Sequence, residues 1–205
     1  MEKELRFQPV LSPKVETRED GIEIISGMGV VFGQRSDKLG FFYEYIDKNA
    51  FDNADISDVV GLFNHDSNYV LGRSSSGTMR FKIETDGVFY EIDAPQTQTI
   101  RDLVLAPMKR GDITGSSFAF SIAEDGDTWE WDKNNQVYIR HITKIEKLYD
   151  LSPVTTPAYS QSTSSVAKRS FDSFIEETKK REDLEKRKNE HFLRQYAENR
   201  LRLIA

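Results

Sequence analysis

The chain has 205 residues, 38% of them hydrophobic and 30% charged, with a formal net charge of −6; this suits one ordinary domain plus an appendage, and gives no support for a nucleic-acid-binding surface. There is no cysteine, which excludes disulfides, thiolate catalysis and cysteine-ligated zinc. Met1 to Val10 does not read as a secretory signal, and no stretch approaches the ~20 apolar residues needed to span a membrane, so the expectation is a soluble, intracellular protein.

In chain order, Gly21 to Phe32 is rich in Ile and Val and reads as a strand. Lys48 to Ala54 predicts a short helix capped by Asp47. Val59-Val60-Gly61-Leu62-Phe63 reads as a buried strand that ends at Asn64-His65-Asp66. Met79, Phe81 and Ile83 alternate, Asp86-Gly87 marks a turn, and Val88, Tyr90 and Ile92 alternate again, a hairpin signature. Thr97 to Arg110 places Ile100, Leu103, Val104 and Met108 at helical spacing, with Pro107 expected to kink or end the helix. Phe118, Phe120 and Ile122 alternate as a strand, and Val137 to Leu151 reads as a further extended run after the polar turn Asp132-Lys133-Asn134-Asn135.

Composition changes near Pro157. Ser160 to Ser165 reads as a linker, and Phe171 to Ala205 is dominated by Lys, Arg and Glu with no Gly or Pro. Glu182 and Lys186 sit at i,i+4 spacing. Apolar residues cluster at the tail's two ends, Phe171, Phe174 and Ile175, then Phe192, Leu193, Tyr196 and Leu201, with only Leu184 between. This predicts a long solvated helix rather than a coiled coil, since no heptad is sustained. The expected organisation is a domain over 1–159, a linker over 160–170 and a charged helical tail over 171–205. The expected fold is α+β, an antiparallel sheet or barrel with one or two covering helices.

Two serines compete as a nucleophile, Ser116 and Ser117. Strand side chains alternate between faces. Ser116 shares a face with Phe118 and Phe120, and Ser117 shares the other with Ala119 and Ser121. The Phe face should look into the core and the small-residue face should leave room for a substrate backbone, which favours Ser117. Gly115 just before it permits a close chain approach. The segment also reads formally as Gly-x-Ser-x-Ala, but a nucleophile elbow needs a following helix, and Phe-Ala-Phe-Ser-Ile alternates like a strand.

A serine hydroxyl needs a positioned base to take its proton. Of the three histidines, His65 at the edge of a buried strand is the candidate. His141, beside Arg140 in a strand, and His191, in the charged tail, read as structural or surface residues. A third group should orient the base. Glu146 and Asp150 are both available downstream; at i and i+4 of a regular strand they share one face and compete, so spacing alone does not choose. There is no HExxH, no second nearby histidine and no acid cluster at ligand spacing, so neither a metal nor another cofactor is expected. The twelve glycines are scattered and form no phosphate loop.

Several blocks, in order, resemble the prohead proteases of tailed bacteriophages of the HK97 type, which are related to the herpesvirus assemblins. They are Gly27-Met28-Gly29-Val30-Val31-Phe32, Phe51 within Asn49-Ala50-Phe51-Asp52, Asn64-His65-Asp66 with Leu71-Gly72-Arg73, Arg110 through Phe120, and Leu148-Tyr149-Asp150-Leu151-Ser152-Pro153-Val154 through Tyr159. The resemblance spans roughly residues 20 to 160. It implies a serine endopeptidase on an assemblin-like β-barrel, with His65 as base and Ser117 as nucleophile. Asp150 stands where the family often has Glu and is favoured as the acid, with Glu146 as the alternative. Ala119 departs from the family's frequent Gly. Backbone N–H groups or Arg73 are the candidates for the oxyanion donor. The implied substrate is the scaffold-like part of the major capsid protein or a separate scaffold, and then the protease itself, inside the procapsid in the host cytoplasm. A homodimer is implied, with no nucleic acid and no membrane. The rival expectations are a catalytically silent scaffolding protein on the same fold, or a protease-scaffold fusion that uses the charged tail.

Overall fold

In a computed structural model, which describes residues 3–8, 12–155 and 165–202, the chain divides into two units, Met1–Ser164 and Ser165–Ala205. Among the described residues, the first contains twelve strands: β1 (Glu4–Gln8), β2 (Lys14–Thr17), β3 (Glu23–Val31), β4 (Phe42–Ile46), β5 (Val60–Phe63), β6 (Asp66–Arg73), β7 (Met79–Ile83), β8 (Gly87–Asp93), β9 (Gly115–Ile122), β10 (Asp127–Asp132), β11 (Val137–Ile142) and β12 (Ile145–Val154). A helical segment lies between β8 and β9.

Hydrogen bonding sorts these strands into three sheets, ordered β1-β9-β12-β5-β6, β10-β11-β4 and β2-β3-β8-β7. The strand-rich α+β class is as expected, but the paired strands do not close into a barrel, and they are not all antiparallel. β12 runs parallel to β5, and β11 runs parallel to β4. The core fills the space between the five- and four-stranded sheets, with Phe118, Phe120, Leu148 and Leu151 from one and Ile25, Val88, Tyr90 and Ile92 from the other. Gly29 sets how closely they approach: a Cβ there would come within 2.5 Å of Leu151 Cδ2.

Three local expectations change. Lys48 to Ala54 forms successive turns rather than a helix, with Ala50 N–H donating to Asp47 O, Asp52 N–H to Asn49 O and Ala54 N–H to Phe51 O. The run from Val137 to Leu151 is two strands, β11 and β12, broken at Thr143-Lys144, whose N–H groups both donate to Gly126 O. Pro107 does not end its helix. The segment runs without a break as α1 (Gln98–Ile100), a π-helical turn (Arg101–Leu105) and α2 (Ala106–Arg110), with Ala106 N–H donating back to Arg101 O just before the proline. Thr97 caps the start, and Gly111 at φ 84° closes the end.

The second unit is one helix, α3 (Ser165–Arg202), solvated along most of its length. Glu176–Lys180 and Glu177–Arg181 pair at i,i+4 along its surface. Residues 166–170, read from sequence as the end of a linker, are helical; 160–164 lie outside the described residues, as does the end of the matching block, 156–159.

β1 is held by a buried ion network. Arg6 forks onto Glu44 (Nε–Oε1 2.6 Å, Nη2–Oε2 2.8 Å) and donates to Glu4 at 2.6 Å. Arg140 donates to Glu4 and Glu44 at 3.0 Å each and to Asp127 at 2.6 Å. Burial opposes the charge on Arg140, but Glu44, Glu4 and Asp127 outweigh it and hold the guanidinium protonated above its ordinary range. Arg140→Met leaves the buried Glu4 and Glu44 with Arg6 alone between them and takes the guanidinium away from the half-buried Asp127. We expect it to destabilise the domain by about 3–5 kcal/mol, measured by urea unfolding.

Candidate active site

Three elements meet at one end of the five-stranded sheet. The first is the β5–β6 hairpin. Phe63 pairs with Asp66, so Asn64-His65 is a two-residue loop. Both residues have positive φ, 53° and 58°, as in a type I′ turn, whose twist matches that of its strands. A histidine in this region is uncommon and stores roughly 1–3 kcal/mol unless its surroundings hold it. Here they do. Asn64 N–H donates to Pro153 O at 3.1 Å, and Asn64 Oδ1 accepts from Thr155 N–H at 2.9 Å and its hydroxyl at 3.3 Å. The turn is therefore fastened to the end of β12.

The second element is β9, between β1 and β12. Ser117 pairs with Phe7 on one side and Ser152 on the other. Phe118 and Phe120 are fully buried in the core, so Ser117, Ala119 and Ser121 face the other way. That small-residue face is itself covered: Ser117 is 0% exposed. Phe7 lies over Gly115 so closely that a Cβ there would collide with its ring, and this close approach is why the position before the serines has no side chain.

The third element is β12. Its register against β9 breaks between Ile145 and Lys147 and again between Leu148 and Asp150. Each break inserts one extra residue and flips the side-chain alternation beyond it. Leu148 and Asp150 would otherwise share a face. The bulge at Tyr149 keeps Leu148 in the core and turns Asp150, opposite Ala119, onto the Ser117 face.

The three side chains form one hydrogen-bonded line. His65 Nδ1 lies 2.6 Å from Asp150 Oδ1, and His65 Nε2 lies 2.6 Å from Ser117 Oγ. A carboxylate only accepts, so the imidazole hydrogen belongs on Nδ1 and the Nε2 lone pair faces the serine hydroxyl. The His65 side chain is 14% exposed and that of Asp150 8%, so the line meets solvent at the imidazole.

The alternatives lie elsewhere. Ser116 Oγ is 2.9 Å from the Tyr90 hydroxyl on the core side. Burial pushes the Tyr90 phenol up, against a smaller opposing pull from Ser116, which keeps it a hydrogen-bond donor. Glu146 accepts from Ser121 at 3.3 Å, while the imidazole bonds Asp150. His141 stacks on Tyr45 and sits near Asp47 and Glu130, while His191 is exposed on α3. Arg73 forks onto Asp58, with Nε–Oδ1 at 2.7 Å.

Sequence reasoning missed Asn64, which fastens the histidine turn to β12, and Ser152, whose Oγ lies 2.8 Å from Asp150 Oδ1. The asparagine in a two-residue loop was a readable signal, because Asn tolerates positive φ. Ser152 gave none beyond lying two residues past Asp150.

A sequence profile of the caudovirus prohead serine proteases matches residues 11–177. Among solved structures, the capsid assembly protease of bacteriophage T4 aligns over 74% of this chain and 99% of that one, at 12% identity and a TM-score of 0.41. No curated relative matches. On the profile match, which covers most of its length, the chain belongs to the caudovirus prohead serine protease family, serine peptidases of phage capsid maturation.

Proposed function

We propose that Ser117 is the nucleophile of this peptidase, His65 its general base and Asp150 the group that orients the base. The observation that carries this reading is the unbroken line from Asp150 through both nitrogens of His65 to Ser117 Oγ, at 2.6 Å for each contact. In the reaction, Ser117 Oγ attacks the peptide carbonyl carbon as its proton passes to His65 Nε2. Asp150 stabilises the imidazolium. His65 then protonates the departing amine, the C–N bond breaks, and the acyl group remains on Ser117. Water, deprotonated by His65, attacks the acyl carbon and releases the new carboxylate. The same line of contacts argues against a silent scaffold, which has no need of a base aimed at a hydroxyl.

The substrate is a capsid protein, as the family implies. The finer reading is that the enzyme removes the scaffold-like part of the major capsid protein, or a separate scaffold, and then cleaves itself within the procapsid, acting as a homodimer. The charged helix α3 is the segment available for assembly contacts. The test is co-expression with the capsid protein, followed by intact mass of both chains. Fragments of both with wild type, and of neither with Ser117→Ala, are expected. Capsid-protein cleavage that persists in Ser117→Ala would overturn the reading.

A further inference from the structure

We propose that Ser152 is a positioning residue of the catalytic line, acting through Asp150; this rests on the proposed roles of His65, Ser117 and Asp150. Ser152 is fully buried. It is the direct cross-strand partner of Ser117 and shares its face. Its Oγ lies 2.8 Å from Asp150 Oδ1 and 3.3 Å from Leu62 N.

These two contacts fix the direction of the hydroxyl. A backbone N–H only donates, so Ser152 Oγ accepts from Leu62 and its own hydrogen goes to Asp150. Asp150 Oδ1 is also the oxygen that faces His65 Nδ1. One carboxylate oxygen thus receives both donors, and its position is set from two directions.

Leu62 belongs to β5, the strand that leads into the histidine turn, while Ser152 and Asp150 belong to β12. The hydroxyl therefore ties the strand that presents the base to the strand that presents the acid. It adds a side-chain tie between the backbone pairing of Asp150 with Val60 and the Asn64 N–H to Pro153 O bond at the turn, and of these ties it is the one that reaches the carboxylate itself. A carboxylate free to rotate about its terminal torsion would let the imidazole swing away from Ser117. Small misplacements of a catalytic group are costly, reaching about 10²-fold for a 1 Å shift.

The test uses the full chain and a small fluorophosphate ester, diisopropyl fluorophosphate, which requires no knowledge of the natural substrate. Ser117 Oγ bonds to phosphorus, the P–F bond breaks with loss of fluoride, and the hydroxyl proton passes to His65. Saturation kinetics separate the maximal inactivation rate from the apparent affinity. Ser152→Ala is expected to lower the maximal rate about 10- to 100-fold with the affinity unchanged, because the Ser152 hydroxyl is engaged by Asp150 and Leu62. Ser152→Thr, which retains the hydroxyl, is expected to recover most of the rate. Ser152→Cys, of similar size but a weak donor, should behave like the alanine variant and replaces it if that variant does not fold. A maximal rate equal to wild type in the alanine or cysteine variant, or a threonine variant as slow as either, would overturn the proposal. Ser117→Ala separates this outcome from failure of the underlying reading: if that variant is still phosphorylated by the reagent as fast as wild type, the assignment of the nucleophile has failed, whatever Ser152 does.

Discussion

Ser117→Ala is expected to lower peptide hydrolysis by about 10⁶ in kcat, the scale seen when a serine nucleophile is removed from an intact base and acid. Ser116→Ala should keep the activity, although the two residues are adjacent. They lie on opposite faces of β9, and Ser116 is engaged with Tyr90 across the core at 2.9 Å. What Ser116→Ala should lose is stability. It leaves the buried Tyr90 hydroxyl without the hydrogen bond that Ser116 supplies, at roughly 1–3 kcal/mol. The pair therefore separates by readout, one variant falling in rate with an unchanged melt and the other falling in melt with an unchanged rate. Steady-state hydrolysis beside urea unfolding distinguishes them. A dead Ser116→Ala that melts like wild type would reverse the assignment.

Asp150→Asn should be the next largest loss, about 10⁴ in kcat. The cause is direction rather than charge alone. An amide at that position can donate to His65 Nδ1, which moves the imidazole hydrogen to Nε2 and turns a donor toward the serine. The base is then blocked while the backbone is undisturbed. Glu146→Gln, the corresponding change at the competing acid, should leave the rate close to wild type. Glu146 accepts from Ser121 at 3.3 Å and makes no contact with the imidazole. A fall of similar size in both variants would mean that the two acids act together on the Ser117 face, onto which the bulge at Tyr149 turns Asp150 and where Glu146 bonds Ser121.

That bulge also explains which parts of the site were legible in the sequence. The alternation of β9 was visible because its two faces differ sharply in size, Phe118 and Phe120 against Ser117, Ala119 and Ser121. The choice between Glu146 and Asp150 was not, because a regular strand puts i and i+4 on the same face. The missing clue was the spacing of the core residues Ile145, Leu148 and Leu151, which are three apart rather than two. A strand keeps such residues on one face only by inserting an extra residue between each pair, and the register shows those two insertions. The position of His65 at a core edge was readable. Its left-handed conformation was not, because histidine has only a weak preference for that region and the loop is held by Asn64 and Thr155, which are distant in sequence.

The fold shows the same division. The Met79–Ile83 and Val88–Ile92 hairpin followed from local alternation and a turn dipeptide. The arrangement into three sheets did not, because parallel pairings such as β12 with β5 join segments with no common turn. The helix through Pro107 persists because a π-helical turn precedes it, a feature without a composition signature. The ion network draws Glu4 and Arg6 from β1 and one charged residue each from β4, β10 and β11, Glu44, Asp127 and Arg140, and each alone reads as solvent-facing.

We propose above all that His65 activates Ser117. Its most direct test is to treat the folded chain with a fluorophosphonate and locate the adduct by peptide mass mapping, in wild type and in His65→Ala. A single adduct on Ser117, absent or slowed by several orders of magnitude in His65→Ala, is the predicted result. An adduct on Ser116, or labelling of Ser117 at the same rate without the histidine, would contradict the account.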